Sequence, residues 1–160
     1  MAMKVPEFLF PIANPIMTLL LNSPLHGLMS GSILVLYFTG RRSGRALSTP
    51  ARYCEADDEL VLITNPETRW WPNFLEGAEA EVQLRGKRVK VVAKSTRGPA
   101  PQVGARVEQM LEAHPADAVY MDVEKDTAAS REAGKPIWDT ATLDAAKARL
   151  VAVVLTKRKA

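Results

Sequence analysis

Between Ser32 and Ser95 the chain is written almost entirely in short β-branched and aromatic runs separated by turn residues, and this pattern limits the fold more than any other feature. The run SILVLYFT (Ser32–Thr39), bounded by Gly31 and Gly40, is too short for a typical helix and reads as a buried strand. LSTPARYCE (Leu47–Glu55) and ELVLIT (Glu59–Thr64), joined through Ala56–Asp58, continue it as a three-strand meander. AEVQLRGKRVKVVAKS (Ala80–Ser95) alternates through Val82 and Leu84, turns at Arg85-Gly86-Lys87 and returns through Val89, Val91 and Val92, which predicts a second hairpin. Asn65–Gly77 between them, bracketed by Pro66 and Gly77, reads as a short helical or looped crossover.

The sheet pattern then stops. RGPAPQVG (Arg97–Gly104) breaks it, Val107, Met110 and Leu111 give Ala105–His114 the spacing of an amphipathic helix, and the polar stretch Asp122–Pro136 reads as a mobile connection. Arg149–Lys157 predicts a final strand. With no regular strand–helix alternation, a parallel Rossmann sheet is excluded, and a small antiparallel barrel of α+β class, about six strands with peripheral helices, fits best. One domain is expected over residues 1–160, divided into an apolar segment (1–30), a barrel meander and hairpin (31–95), a helical and loop region (96–148) and the final strand (149–157).

The strongly apolar Phe8–Met29 is interrupted by Pro11, Pro15, Asn22 and Pro24, so it is too broken to be a transmembrane helix. A helix over about Pro15–Leu21, packed on the core or leaning on a membrane surface or partner subunit, is the expectation there. A net charge of +3 generates no strong field toward nucleic acid, and the terminal Lys157–Lys159 has no stacking aromatics beside it. The lone Cys54 favours a reducing cytoplasm, and neither His26 nor His114 stands in a metal-binding motif, so no metal is expected.

Chemistry concentrates at two places. The glycine-bounded turn after the first strand carries Arg41, Arg42, Ser43, Gly44 and Arg45, where backbone N–H groups and guanidinium forks could converge on an anion; a solvated hairpin tip would carry the same residues. In the crossover, Trp70 and Trp71 point in different directions, which leaves one for the core and the other to cover a ligand ring or pocket, flanked by Arg69 and Asn73.

Taken in order and at their spacing, the Gly-Arg-basic-Ser-Gly turn, Thr49-Pro50 and the Trp-x-x-Asn crossover resemble the deazaflavin-dependent (coenzyme F-420) nitroreductase family, over about Leu21–Lys94. The resemblance implies a split β-barrel related to FMN-binding barrels, and a hydride transferred between the reduced coenzyme and a small conjugated acceptor, quinone-like or nitro-type. It implies that Arg41, Arg42, Ser43, Gly44 and Arg45 hold the coenzyme's phosphate and acidic tail, that Thr49, Pro50 and Thr64 lie near the ring, that Trp71 and Asn73 belong to the same cofactor site, and that Trp70 and Tyr120 line the substrate pocket. No catalytic side chain is implied. Two departures stand out: Leu47 occupies a place where members usually carry a further Arg, and the tyrosine-rich C-terminal segment is reduced to Tyr120, with Trp138 beyond it. FMN is the second cofactor to consider, and a carrier of a fatty acid, haem or FMN without redox activity is the alternative function. A homodimer in the cytoplasm, with membrane contact through the N-terminal segment and no nucleic-acid partner, completes the expectation.

Overall fold

A computed structural model describes residues 32–159. The helix expected over about Pro15–Leu21, and the membrane or partner contact expected of Phe8–Met29, lie outside the described residues. Seven strands, β1 (Ile33–Thr39), β2 (Ala46–Arg52), β3 (Cys54–Ala56), β4 (Glu59–Thr64), β5 (Ala78–Leu84), β6 (Lys87–Arg97) and β7 (Val151–Lys157), form one antiparallel sheet in the order β2-β1-β5-β6-β7-β4-β3. Helices α1 (Pro101–Ala113), α2 (Thr127–Ala133) and α3 (Thr140–Arg149) and 3-10 turns at Trp71–Phe74 and Pro115–Met121 complete the described residues.

The sheet order dictates a curl. β2 and β3 stand at opposite ends of the order, yet only Tyr53 separates them in sequence, so the two sheet edges must meet. Tyr53 N–H donates to the Ser32 carbonyl at 2.9 Å, and β2 approaches β4 across this seam. The result is the barrel of α+β class that the sequence pattern implied, with seven strands where about six were expected. The run Leu47–Glu55 is two strands because its ends need different partners: β2 pairs with β1 and β3 with β4. The three-strand meander is corrected accordingly, since β4 takes β7 as its second neighbour, with Leu62 opposite Val153. That partner lies too far along the chain for a local pattern to reveal.

Alternation along the strands produces two cores on the two faces of one sheet. Leu34, Leu36 and Phe38 of β1, Leu60 and Leu62 of β4 and Val151, Val153 and Leu155 of β7 point inward, where Tyr53, Trp71 and Phe74 join them. On the other face, Cys54, Val61 and Ala152 meet Val103, Val107, Met110 and Leu111 of α1 and Ala146 of α3. Strands buried on both sides explain the unbroken apolar runs ELVLIT and LVAVVL. β2 is an edge strand with partial exposure throughout its second half, a position that tolerates Pro50. The β3–β4 connection is a two-residue turn, with Asp57 and Asp58 both at positive φ (53° and 62°), the shape that suits a tight hairpin.

The helical half departs from the sequence reading in two places. α1 begins at Pro101, inside the stretch read as a breaker, because proline suits the first helical turn, where its missing N–H leaves no bond unmade. Asp122–Pro136 is also no mobile connection. Asp126 caps α2 by accepting from Ala129 N–H at 2.9 Å, Gly134 ends it at φ 66°, and Lys125 pairs with Trp138 in an isolated bridge. A buried Ser130 exchanges hydrogen bonds with Ile137, its hydroxyl donating to the carbonyl at 3.1 Å and accepting from the N–H at 2.8 Å.

Candidate functional site

The basic turn between β1 and β2 is a compact loop whose shape is set by its own backbone. Gly40 N–H donates to the Arg45 carbonyl at 2.9 Å, Gly44 N–H donates to the Gly40 carbonyl at 2.9 Å, and Ser43 Oγ accepts from Arg45 N–H at 3.2 Å. Gly44 adopts φ 65°, which favours glycine, and a Cβ on Gly40 would lie 2.6 Å from Ser43 Oγ and 3.1 Å from Leu47 Cδ1, so a side chain there would displace the serine hydroxyl from Arg45 N–H. Arg41 N–H is spent on Asn73 Oδ1 at 2.8 Å. Among the described residues, the N–H groups of Arg42 and Ser43 have no partner and remain available to an anion.

The side chains of Arg41, Arg42 and Arg45 are exposed, and none makes an ion pair with another described residue. Six arginines elsewhere are paired, Arg52 with Asp117, Arg85 with Glu55, Arg88 with Glu81, Arg106 with Glu59, Arg149 with Asp122 and Arg158 with Glu79, whereas Arg69, Arg97 and Arg131, scattered singly along the chain, make no ion pair with another described residue. Three unneutralised guanidinium groups on a turn of fixed shape, with two free backbone donors, suit a phosphate or carboxylate group. The donor set therefore fits the anionic end of a deazaflavin or flavin coenzyme.

The crossover packs against this turn. Trp71 is buried in the inner core with its ring N–H on the Pro66 carbonyl at 3.1 Å, while Trp70 is only partly buried, edge-on to Phe74 at 6.3 Å. Of the two tryptophans, then, Trp71 serves the core and Trp70 keeps a face available. Asn73 Nδ2 donates to the Trp70 carbonyl at 2.8 Å while its Oδ1 holds the turn, so both ends of the amide are engaged. Thr68 Oγ1 donates to the Asn65 carbonyl at 2.9 Å, which leaves Thr64 as the donor in the 2.9 Å Thr64–Thr68 hydroxyl pair.

Thr49 stands opposite Leu36 in the ladder and so shares the inner face of the sheet; Thr64, two residues beyond Leu62, has the same parity. Pro50, opposite Val35, belongs to the other face. Beside the turn, a cleft of about 450 Å³ opens between Tyr37, Phe38, Leu47 and Val91, rimmed by Lys90 and Arg158. Within it the Arg88 guanidinium lies 3.5 Å from the Tyr37 ring centroid, a cation–π stack that also reaches Glu81 at 3.4 Å. Tyr120 is 43% exposed on the 3-10 turn Pro115–Met121, whose buried Ala118 and Met121 join the outer core, on the other side of the sheet from Trp70.

Two long-range polar clusters escaped the sequence reading. Arg149 donates to Asn65 Oδ1 at 2.6 Å, to the Met121 carbonyl at 3.1 Å and to Asp122 at 3.2 Å, anchoring the start of the crossover to the end of α3. Nearly buried Asp117 pairs with Arg52 Nε at 2.9 Å, next to His114, whose ring bonds the Tyr53 carbonyl at 2.8 Å. Burial pushes the Asp117 carboxyl above its usual range, against the opposing pull of Arg52 and His114. Burial likewise raises Tyr53 and Cys54. Only the capping signals Asp126, Gly134 and Asp139 were open to local reading; the partners of Arg149 and Asp117 were not. Among the described residues there is no cluster of His, Cys, Asp and Glu able to hold a metal and no helix long and apolar enough to cross a membrane.

Among solved structures, the chain is similar to an F420-H2 dependent reductase (FDR-A) at 16% identity, covering 77% of this chain and 93% of that one, with a TM-score of 0.49. It is also similar to the FAD and heme binding protein from Mycobacterium smegmatis at 15% identity, covering 84% and 66%, with a TM-score of 0.44. A pyridoxamine 5'-phosphate oxidase-related, FMN binding protein from Nostoc punctiforme matches at 14% identity, covering 98% and 83%, with a TM-score of 0.43. No curated protein is significantly similar to the chain. The family model of the F420H(2)-dependent quinone reductases matches residues 21–130, which include the basic turn, Thr49-Pro50 and the crossover, and the chain belongs to that family.

Proposed function

We propose that this protein binds coenzyme F-420 through the Arg41–Arg45 turn and serves as a reductase of a small conjugated acceptor of quinone or nitro type. The observation that carries the reading is the turn itself: three guanidinium groups without a carboxylate partner among the described residues, on a loop whose remaining backbone donors are those of Arg42 and Ser43. When bound, the reduced deazaflavin supplies the hydride. The protein's part is binding and orientation. Arg41, Arg42 and Arg45, with Ser43 and Gly44, hold the phosphate and acidic tail; Thr49 and Thr64 flank the ring from the inner face, while Pro50 turns to the other face of the sheet; Trp71 and Asn73 support that wall from the crossover. Trp70 faces the acceptor, whereas Tyr120, carried by a turn that packs on the outer core, stands outside that pocket. FMN shares a phosphate and a flat ring, and is the second ligand the turn could take.

Titrating the purified protein with oxidised coenzyme F-420 and with FMN, read by fluorescence quenching, tests the proposal. Saturable coenzyme binding is expected, weakened by about 1.5–3 kcal/mol in Arg42→Ala, the range for a charge-assisted hydrogen bond, with little change in melting temperature. No binding of either ligand, or unchanged affinity in all three arginine-to-alanine variants, would overturn it. We also propose that two copies pair, which would cover the exposed Leu75 and Val92; light scattering at micromolar concentration showing only monomer refutes that part.

A further inference from the structure

We infer that Asn73 is a positioning residue, which presets the arginine turn for its anion without touching the ligand itself; the inference rests on the function proposed above. Arg41 N–H can only donate and the Trp70 carbonyl can only accept, so the amide orientation is fixed: Oδ1 toward the turn at 2.8 Å, Nδ2 toward the crossover at 2.8 Å. Every other hydrogen bond of residues 41–45 closes within the turn, so among the described residues Asn73 provides its one hydrogen-bonded tie to another part of the molecule.

The far end of that tie is itself anchored. Ser95 Oγ donates to the Trp71 carbonyl at 2.9 Å from inside the barrel, Trp71 Nε1 donates to Pro66 at 3.1 Å, and Arg149 holds Asn65 at 2.6 Å. The crossover is therefore fixed to β6 and to α3, and Asn73 transmits that rigidity to a turn that is otherwise exposed. A preset turn gives up less conformational freedom when an anion arrives, which raises affinity without adding a contact. Only an amide serves both partners here. Aspartate keeps the acceptor for Arg41 but loses the donor and sets a negative charge beside the arginines; alanine keeps neither.

Hydrogen–deuterium exchange on the ligand-free protein, combined with two binding titrations, tests the assignment. In Asn73→Ala, residues 40–45 should exchange faster while β1 and the β5–β6 hairpin keep their protection, and Asn73→Asp should restore protection at Arg41. Affinity for coenzyme F-420 should fall about tenfold in Asn73→Ala, the equivalent of one net hydrogen bond. Affinity for the deazaflavin nucleoside lacking phosphate and tail should stay unchanged. Unaltered exchange at 40–45 overturns the inference, as does an equal loss of affinity for both ligands, which would put Asn73 on the ring. Exchange that rises throughout the barrel refutes it too, because Asn73 would then be only a stabilising residue. If the wild-type protein binds no coenzyme, the proposed function fails, and the exchange measurement still decides whether Asn73 orders the turn.

Discussion

Replacing Leu47 by arginine restores the cation that members of the resembling family usually carry at this position, and the structure says where that cation would go. In the β1–β2 ladder Leu47 stands opposite Phe38, whose ring is in the inner core, so alternation alone would aim Leu47 into the barrel. Yet Leu47 is 42% exposed, and its Cδ1 lies just 3.1 Å from where a Cβ on Gly40 would stand, which puts the side chain over the turn at the mouth of the cleft. Fully burying a leucine is worth about 1.5–3 kcal/mol, and the arginine stem keeps much of the contact made by a half-exposed one, so the stability loss should be under about 1 kcal/mol. For a chain of this size that is a fall in melting temperature of no more than about 4 °C. Toward an anion at the turn, the new guanidinium should add about 1.5–3 kcal/mol at low salt, tightening coenzyme F-420 about tenfold or more. The gain should shrink as salt is raised, because the site is open to solvent. Fluorescence titration at two ionic strengths and a thermal melt read both quantities. Unchanged or weaker affinity, or a melting point lowered well beyond that limit, refutes the placement.

Three further outcomes follow from the packing. Phe74, fully buried and edge-to-face with Phe38 at 5.3 Å, should cost about 3–5 kcal/mol when replaced by alanine, measured by denaturant unfolding. The buried Cys54, whose thiol burial pushes up, should resist a thiol-specific reagent in the native protein and react at once in denaturant; fast native labelling would mean that β3 opens readily. Asp117 has a folded-state affinity for protons above that of the unfolded chain, so its contribution to stability falls as pH rises from the usual carboxylate range through the raised one. The stability of Asp117→Asn minus that of wild type should therefore grow with pH across that window and level off above it; a difference that shrinks would mean the Arg52 pair outweighs burial.

How much of this was legible depended on how far apart the deciding residues lie. β1, β4 and the β5–β6 hairpin could be read because run length, alternation and turn chemistry are local, and their observed limits fall within a few residues of the expected ones. The break at Tyr53 could not, since nothing in LSTPARYCE announces that its halves will pair with strands on opposite edges of a curled sheet. α2 and α3 were missed for another reason. Each has only one buried residue, Ser130 and Ala146, so no apolar stripe marks it, and the signal lay in aspartate caps that bond Ala129 and Thr142 at 2.9 Å.

The site divides along the same line. The arginines, the serine and the two glycines are legible as a candidate anion site because they are contiguous, whereas the hydrogen bond that ties the turn to another part of the described structure comes from Asn73, 32 residues away. Asn73 in turn depends on Ser95 and Arg149, which carry no functional signature in the sequence. Apolar alternation builds a barrel stiff enough to serve as a reference; hydrogen bonds across it deliver that stiffness to an edge loop which has no core of its own. Without that tie, an arginine-rich turn closed only by its own hydrogen bonds would move more freely against the barrel. Affinity for an anion should therefore respond to changes in the crossover, where no ligand need ever be touched, as well as to the arginines themselves.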